Sequence, residues 1–285
     1  MALKSVRNLI IAGGVAVASL TGIAIAAGGG GPAHGYEMLH KHWHWSGLTG
    51  TYDQKAMQRG YHVYANVCRS CHNLDQLAFR HLGDKGGPFY DPKYKNPNDN
   101  PLVKNIAAEY EVVDMDPEDG SEITRPGIPA DYFPAVYRND AEARYVNNGA
   151  LPPDLSLIVK ARNDGADYLY NLMLAYSHPQ PEYVELSPGQ YYNPVIEGYK
   201  IAMPPQLQPQ EGVFEYQSDT EGQNPPEATV EQMAADLTEF LAWSADPKLA
   251  ERKSAGLMSM VYLVLLAILL WLSYKRVWRR LKPAK

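Results

Sequence analysis

Two cysteines three positions apart, followed at once by a histidine, constrain this chain more than any other feature. Cys68-Arg69-Ser70-Cys71-His72 is the spacing by which a polypeptide captures a c-type haem covalently. Side chains at i and i+3 share one face of a helical turn, so both sulfurs can reach the two vinyl groups of one porphyrin, and His72 can then ligate the iron. The chain has two cysteines in all, so no second pair completes a four-sulfur zinc site. A redox dithiol would follow a strand in a βαβ unit, whereas a helical pattern over residues 53–67 precedes this one.

Haem attachment of this kind takes place outside the cytoplasm, and the ends of the chain carry matching signals. Lys4 and Arg7 precede an uncharged stretch over 8–27, and Ala24-Ile25-Ala26 offers a small-residue cleavage pattern, as in a signal peptide over 1–27. An uncleaved anchor is the rival reading. At the other end, residues 254–274 are 21 positions without a charge. At 1.5 Å rise they span about 31 Å, the thickness of a bilayer core. Lys275, Arg276, Arg279, Arg280, Lys282 and Lys285 follow with no acidic residue among them. The positive-inside rule places a tail over 275–285 in the cytoplasm and the domain over 28–253 on the outer face, with Trp271, Tyr274 and Trp278 as the aromatic belt. The formal charge of −6 divides into +2 for the first seven residues, +6 for the tail and −14 for residues 8–274. So acidic a domain argues against nucleic acid and suits electrostatic steering of a basic partner. Seven carboxylates over 109–122, without a basic residue, are the densest part of that field. A run of this kind otherwise reads as a solvated loop.

Between the membrane elements the pattern is mainly α, with long irregular loops. One helix is expected from Tyr52 through the haem motif, with Gly60 allowing close approach of another helix. The partner is expected over 229–244: Thr229 and Gln232 form a capping box, and Met233, Leu237, Phe240 and Leu241 an apolar stripe. Shorter helices are expected over 166–176 and 140–146. Residues 83–101 hold four prolines and 204–226 hold five; irregular stretches of that length are expected to pack on a cofactor or partner, or to move.

The iron's sixth ligand would be Met or His, and Met suits a high potential. Among nine methionines, Met203 alone stands in a rigid non-helical setting, Ile201-Ala202-Met203-Pro204-Pro205, where prolines fix the backbone. A core plug is the alternative. The run His40-Lys41-His42-Trp43-His44 could chelate a metal on an extended strand or simply form an interfacial or exposed stretch.

Taken together, 59–72, the segment Asn148-Gly149-Ala150-Leu151-Pro152-Pro153-Asp154-Leu155-Ser156, Arg125-Pro126-Gly127 with Asp131-Tyr132-Phe133-Pro134, 201–204, and 240–253 leading into the apolar helix resemble the cytochrome c1 family over residues 46–282. The resemblance implies a c-type cytochrome-like helical haem domain with one C-terminal transmembrane helix. It implies a single-pass subunit of the cytochrome bc1 complex, in a bacterial inner membrane with the haem domain facing the periplasm. One haem c would be held by Cys68, Cys71, His72 and Met203. Arg162 would pair with a propionate, with Tyr168 assisting and Pro152 beside the cofactor. Implied partners are cytochrome b, the Rieske iron-sulfur protein, a soluble or tethered basic cytochrome c, the lipid bilayer and a second copy in a dimeric complex. The chain alone would carry single electrons inside a quinol:cytochrome c oxidoreductase. A haem peroxidase or dehydrogenase would instead need an open iron position, and a tethered shuttle acting alone would differ only in its partners. Some bacterial relatives carry a further disulfide, for which this chain has no cysteines.

Overall fold

The computed structural model describes residues 36–208 and 226–279. The expected leader over 1–27, the middle of the proline-rich stretch 204–226 and the end of the basic tail lie outside the described residues. Among these, helices α1 (Gln54–Asn66), α2 (Pro101–Ala108), α3 (Asp140–Val146), α4 (Gly165–Leu174), α5 (Val230–Ala245) and α6 (Leu249–Trp278) carry the fold. Two short antiparallel pairs accompany them, β1 (Glu111–Met115) with β2 (Glu122–Pro126) and β3 (Tyr191–Tyr192) with β4 (Lys200–Ile201). The mainly helical class is as expected.

Helices α1 and α4 both pack on α5. Asp53 starts α1 by accepting from the Lys55 and Ala56 amides at 2.8 and 3.2 Å, as an N-cap should. Gly60 does what its position suggested: a Cβ there would overlap the Asp236 carbonyl oxygen and lie 2.8 Å from Phe240 Cβ. Beside it Arg59 grips the buried Asp236 carboxylate with two bonds of 2.8 Å, the bidentate geometry that suits a guanidinium. Thr229 caps α5 by accepting from the Gln232 amide at 3.1 Å, but the Gln232 side chain turns to Asp236 at 3.0 Å, so only half of the expected capping box forms.

Four other expectations need correction. Helix α1 ends at Asn66, and the haem motif occupies a separate 3-10 turn, Cys68–Ser70, in which the amides of Cys71 and His72 both donate to the Cys68 carbonyl. Cys71 follows that turn as its C-terminal cap, with φ −132° and ψ −25°, so the two cysteines flank a single tight turn. Second, the stretch 83–101 ends in a helix, because Asn100 accepts from the Leu102 amide at 3.0 Å and Pro101 takes the first helical position. Third, that stretch packs on α1: the Gln54 and Gln58 amides donate to the Pro88 carbonyl at 3.2 and 2.8 Å, and Phe89 meets Tyr61 edge-on at 5.3 Å.

The fourth correction is the acidic run, which is a β-hairpin. Asp116 and Asp119 spend their carboxylates on the turn amides of Glu118 and Ser121, both at 2.8 Å. Gly120 supplies the left-handed φ of +72°. Arg125 crosses the hairpin to Asp114 at 2.6 Å and reaches Asp131 at 2.7 Å, and it holds both carboxyls below the usual carboxylate range.

Helix α6 is 30 residues long, with a stretch of mean hydropathy 2.4 and no burial inside the protein. By length and composition it can cross a membrane. Its first turns are tied to the domain by Arg252 to Asp246 at 2.6 Å and by Lys253 to the Gly50 carbonyl at 3.0 Å. Residues 36–52 strap the helices together. Asn171 of α4 bonds both backbone groups of Leu39, and Trp43 Nε1 donates to Asp167 at 2.7 Å. The histidine run belongs to this strap. His40 faces Asp167 on α4 at 3.0 Å and His44 faces Glu239 on α5 at 3.3 Å, so these two side chains serve different helices rather than one shared centre.

Candidate functional site

The haem motif is held from both sides. Arg69 lays its guanidinium over the buried Tyr110 ring, 3.6 Å from the centroid, a favourable cation–π placement. On the other side, 73–76 is laced to 153–156. The Leu155 amide donates to Asn73 O at 2.9 Å, the Asp75 amide to the Asp154 carboxylate at 2.8 Å, and the Gln76 amide to Ser156 Oγ at 3.0 Å. Ser156 is itself buried, and its carbonyl accepts from Ser244 of α5 at 3.0 Å.

This lacing delivers the central contact of the site: His72 Nδ1 lies 2.7 Å from the Pro153 carbonyl oxygen. A carbonyl can only accept, so the ring proton sits on Nδ1 and the Nε2 lone pair is left for a metal. Burial pushes the His72 pKa down, partly offset by that hydrogen bond and by Asp154. The neutral imidazole that ligation needs is therefore the favoured form. Pro152 is expected beside the cofactor and is the neighbour of this carbonyl. The residue that orients the histidine is Pro153, and it acts through a backbone oxygen that no side-chain pattern announces.

Cys68 packs against the core. Burial, with Cys71 second, pushes its thiol up to about 12. Reactive dithiols work instead with a lowered thiol pKa. Among the described residues no group of three or more His, Cys, Asp or Glu side chains could hold a metal ion.

Arg162, Tyr168 and Met203 lie elsewhere along the chain, around α4. Arg162 sits on the turn leading into that helix. It is half-buried, and among the described residues its guanidinium donates only to the Ala161 carbonyl, at 3.2 Å, with no carboxylate partner. Tyr168 and Met203 pack together with Met38, Met173 and Ile201 around Leu172, Ala175 and Val195. Met203 directly follows the β3–β4 pair, and Tyr176 Oη donates to its carbonyl at 2.8 Å. The structure thus forms two groups, the motif with Pro152 and Pro153, and α4 with Met203. Met173 packs on both hydrophobic clusters. Met57 and Met233 are core residues, and Met115 is exposed on the hairpin.

The sequence model of the Cytochrome C1 family matches residues 43–281. The chain belongs to that family. It is 39% identical over 268 residues to "Cytochrome c1, heme protein, mitochondrial" of Saccharomyces cerevisiae, covering 94% of this chain and 79% of that one. It is 35% identical over 278 residues to "Cytochrome c1" of Rhodospirillum rubrum, covering 92% and 95%. A third relative, "Cytochrome b/c1" of Bradyrhizobium diazoefficiens, is 36% identical over 254 residues, covering 83% of this chain and 35% of its own length. The described residues of this family member fit a covalently attached haem: two thiols flanking one turn, an imidazole whose Nε2 has no partner among the described residues, a thioether beside prolines and a guanidinium without a carboxylate among those same residues.

Proposed function

We propose that this chain is the haem c subunit of a cytochrome bc1 complex. It would take single electrons from the Rieske iron-sulfur protein and pass them to a basic cytochrome c, as part of a quinol:cytochrome c oxidoreductase. The observation that carries this reading is His72 donating Nδ1–H to Pro153 directly after the turn that Cys68 and Cys71 flank. Bound there, haem supplies a one-electron couple. Cys68 and Cys71 would attach it, His72 and Met203 would hold its iron, Arg162 would face a propionate with Tyr168 near it, and Pro152 would lie alongside. Family membership and the name of one relative, "Cytochrome b/c1", support assembly with cytochrome b, and the complex would be dimeric. Helix α6 would anchor the domain in a bacterial inner membrane, with residues 28–253 on the periplasmic side and the basic tail inside by the positive-inside rule. The leader over 1–27 would export it.

Affinity purification of the tagged full chain in mild detergent tests the assembly. Cytochrome b and quinol:cytochrome c reductase activity are expected to elute with it, and elution of a haem-bearing chain alone would make it a solitary shuttle. The hairpin tests the electron acceptor. Since Asp114, Asp116 and Asp119 hold the hairpin together, the carboxylates to neutralise are Glu109, Glu111, Glu118 and Glu122, all exposed. Changing these four to glutamine is expected to slow reduction of a basic cytochrome c about tenfold at low salt and flatten its salt dependence, with the haem spectrum unchanged. An unaltered salt slope in stopped-flow traces would move the docking field away from the hairpin.

A further inference from the structure

We propose that a cavity at the foot of the domain, where 80–98 faces the junction of α5 and α6, is a head-group site for an anionic glycerophospholipid, recognised by its phosphate and an adjoining hydroxyl. The cavity holds about 1000 Å³. None of Cys68, Cys71, His72 or Met203 lines it, so it is separate from the electron-transfer site.

Its lining is chemically biased. Among the described residues, two buried side-chain atoms lack a hydrogen-bond partner, Trp243 Nε1 and Asn98 Oδ1, and both residues line this cavity. Leaving such groups unpaired is costly, so this wall of the cavity carries one unpaired donor and one unpaired acceptor just beneath its surface. Arg80, Lys85, Lys95 and Lys248 also line it, and none forms an ion pair with a described residue. Asp84 and Glu251 are the carboxylates of the lining, leaving a surplus of two positive charges. Cations and an indole N–H suit phosphate oxygens, while an amide oxygen suits a hydroxyl. A polyol phosphate ester presents both.

Position favours a lipid as the source. Lys248 and Glu251 stand just before the uncharged stretch 254–274. The inference rests on α6 as the membrane anchor, which sets this cavity at head-group depth, where each lysine or arginine adds attraction to an anionic surface.

Native mass spectrometry of the full haem-loaded chain in detergent provides the test and works whether or not α6 crosses a bilayer. Phosphatidylglycerol is expected to bind at least tenfold more tightly than phosphatidylcholine and more tightly than phosphatidic acid, which lacks the hydroxyl. The triple variant Lys85→Gln, Lys95→Gln, Lys248→Gln should erase the preference, and Trp243→Phe, which keeps an aromatic side chain but removes the N–H, should weaken binding severalfold. Lys104→Gln with Lys200→Gln should change nothing. Competition by millimolar glycerol phosphate would identify a soluble phosphate ester as the source, and no competition would identify the lipid. Equal binding of the two phospholipids, or a triple variant that keeps the preference, overturns the site. So does hydrogen-exchange protection of 83–98 that appears only on assembly with cytochrome b, since that makes the cavity a protein contact. Flotation with phosphatidylcholine vesicles separately tests the anchor.

Discussion

Replacing Gly60 by alanine is expected to lower the thermal midpoint of the haem-loaded chain by roughly 5–10 °C, on the order of 1–3 kcal/mol of overpacking for a domain of this size. The added methyl would overlap the Asp236 carbonyl of α5 and press on Phe240 Cβ at 2.8 Å. Neither is the yielding end of a flexible side chain, so α5 itself must move. That helix also carries the Asp236 carboxylate held by Arg59, the Ser244 hydroxyl that fixes Ser156, and Trp243. A displaced α5 therefore loosens the lacing behind His72. Circular dichroism melts of the wild type and variant measure the shift. A midpoint unchanged within 1 °C would mean that α1 and α5 do not cross at Gly60.

The second large effect is expected from Met203→Leu. In the proposed attachment through Cys68 and Cys71, Met203 has no covalent part, so the haem is expected to survive denaturation in this variant. The leucine keeps the apolar packing around Leu172 and Val195 but lacks the sulfur. The midpoint potential should then fall by on the order of a few hundred mV, within the ~0.8 V range that axial ligands span, and the reduced protein should bind carbon monoxide. Met38→Leu and Met173→Leu serve as controls, because both methionines pack on the same cluster. If either control acquires carbon monoxide binding while Met203→Leu does not, that residue holds the position instead.

What was legible in the sequence is what short-range chemistry encodes. A covalent spacing such as Cys68 to His72 needs one turn and no tertiary contact to be meaningful. Helix α5 follows from Thr229 and an apolar stripe, α6 from a run that water would not tolerate, and the closeness of α1 and α5 from the missing side chain of Gly60. The same local logic failed where two signals overlapped. The helical periodicity running into the motif concealed the break at Asn66, and the density of acid over 109–122 concealed a hairpin whose Arg125 lies just outside the run. Asn100-Pro101 did announce α2, as a capping residue before a first-position proline, although the surrounding prolines made the region read as loop.

By itself the sequence determined the mainly helical class and that an apolar helix follows the domain, because both rest on patterns among neighbouring residues. Only the tertiary structure decided how His72 is oriented, what His40 and His44 do, and that Asn98 and Trp243 line one cavity. Pro153 reaches His72 from 81 positions away. His44 meets Glu239 across 195. Contacts of that separation form through backbone oxygens and packed helices, whose partners are set by the way the whole chain closes on itself and leave no mark in local composition.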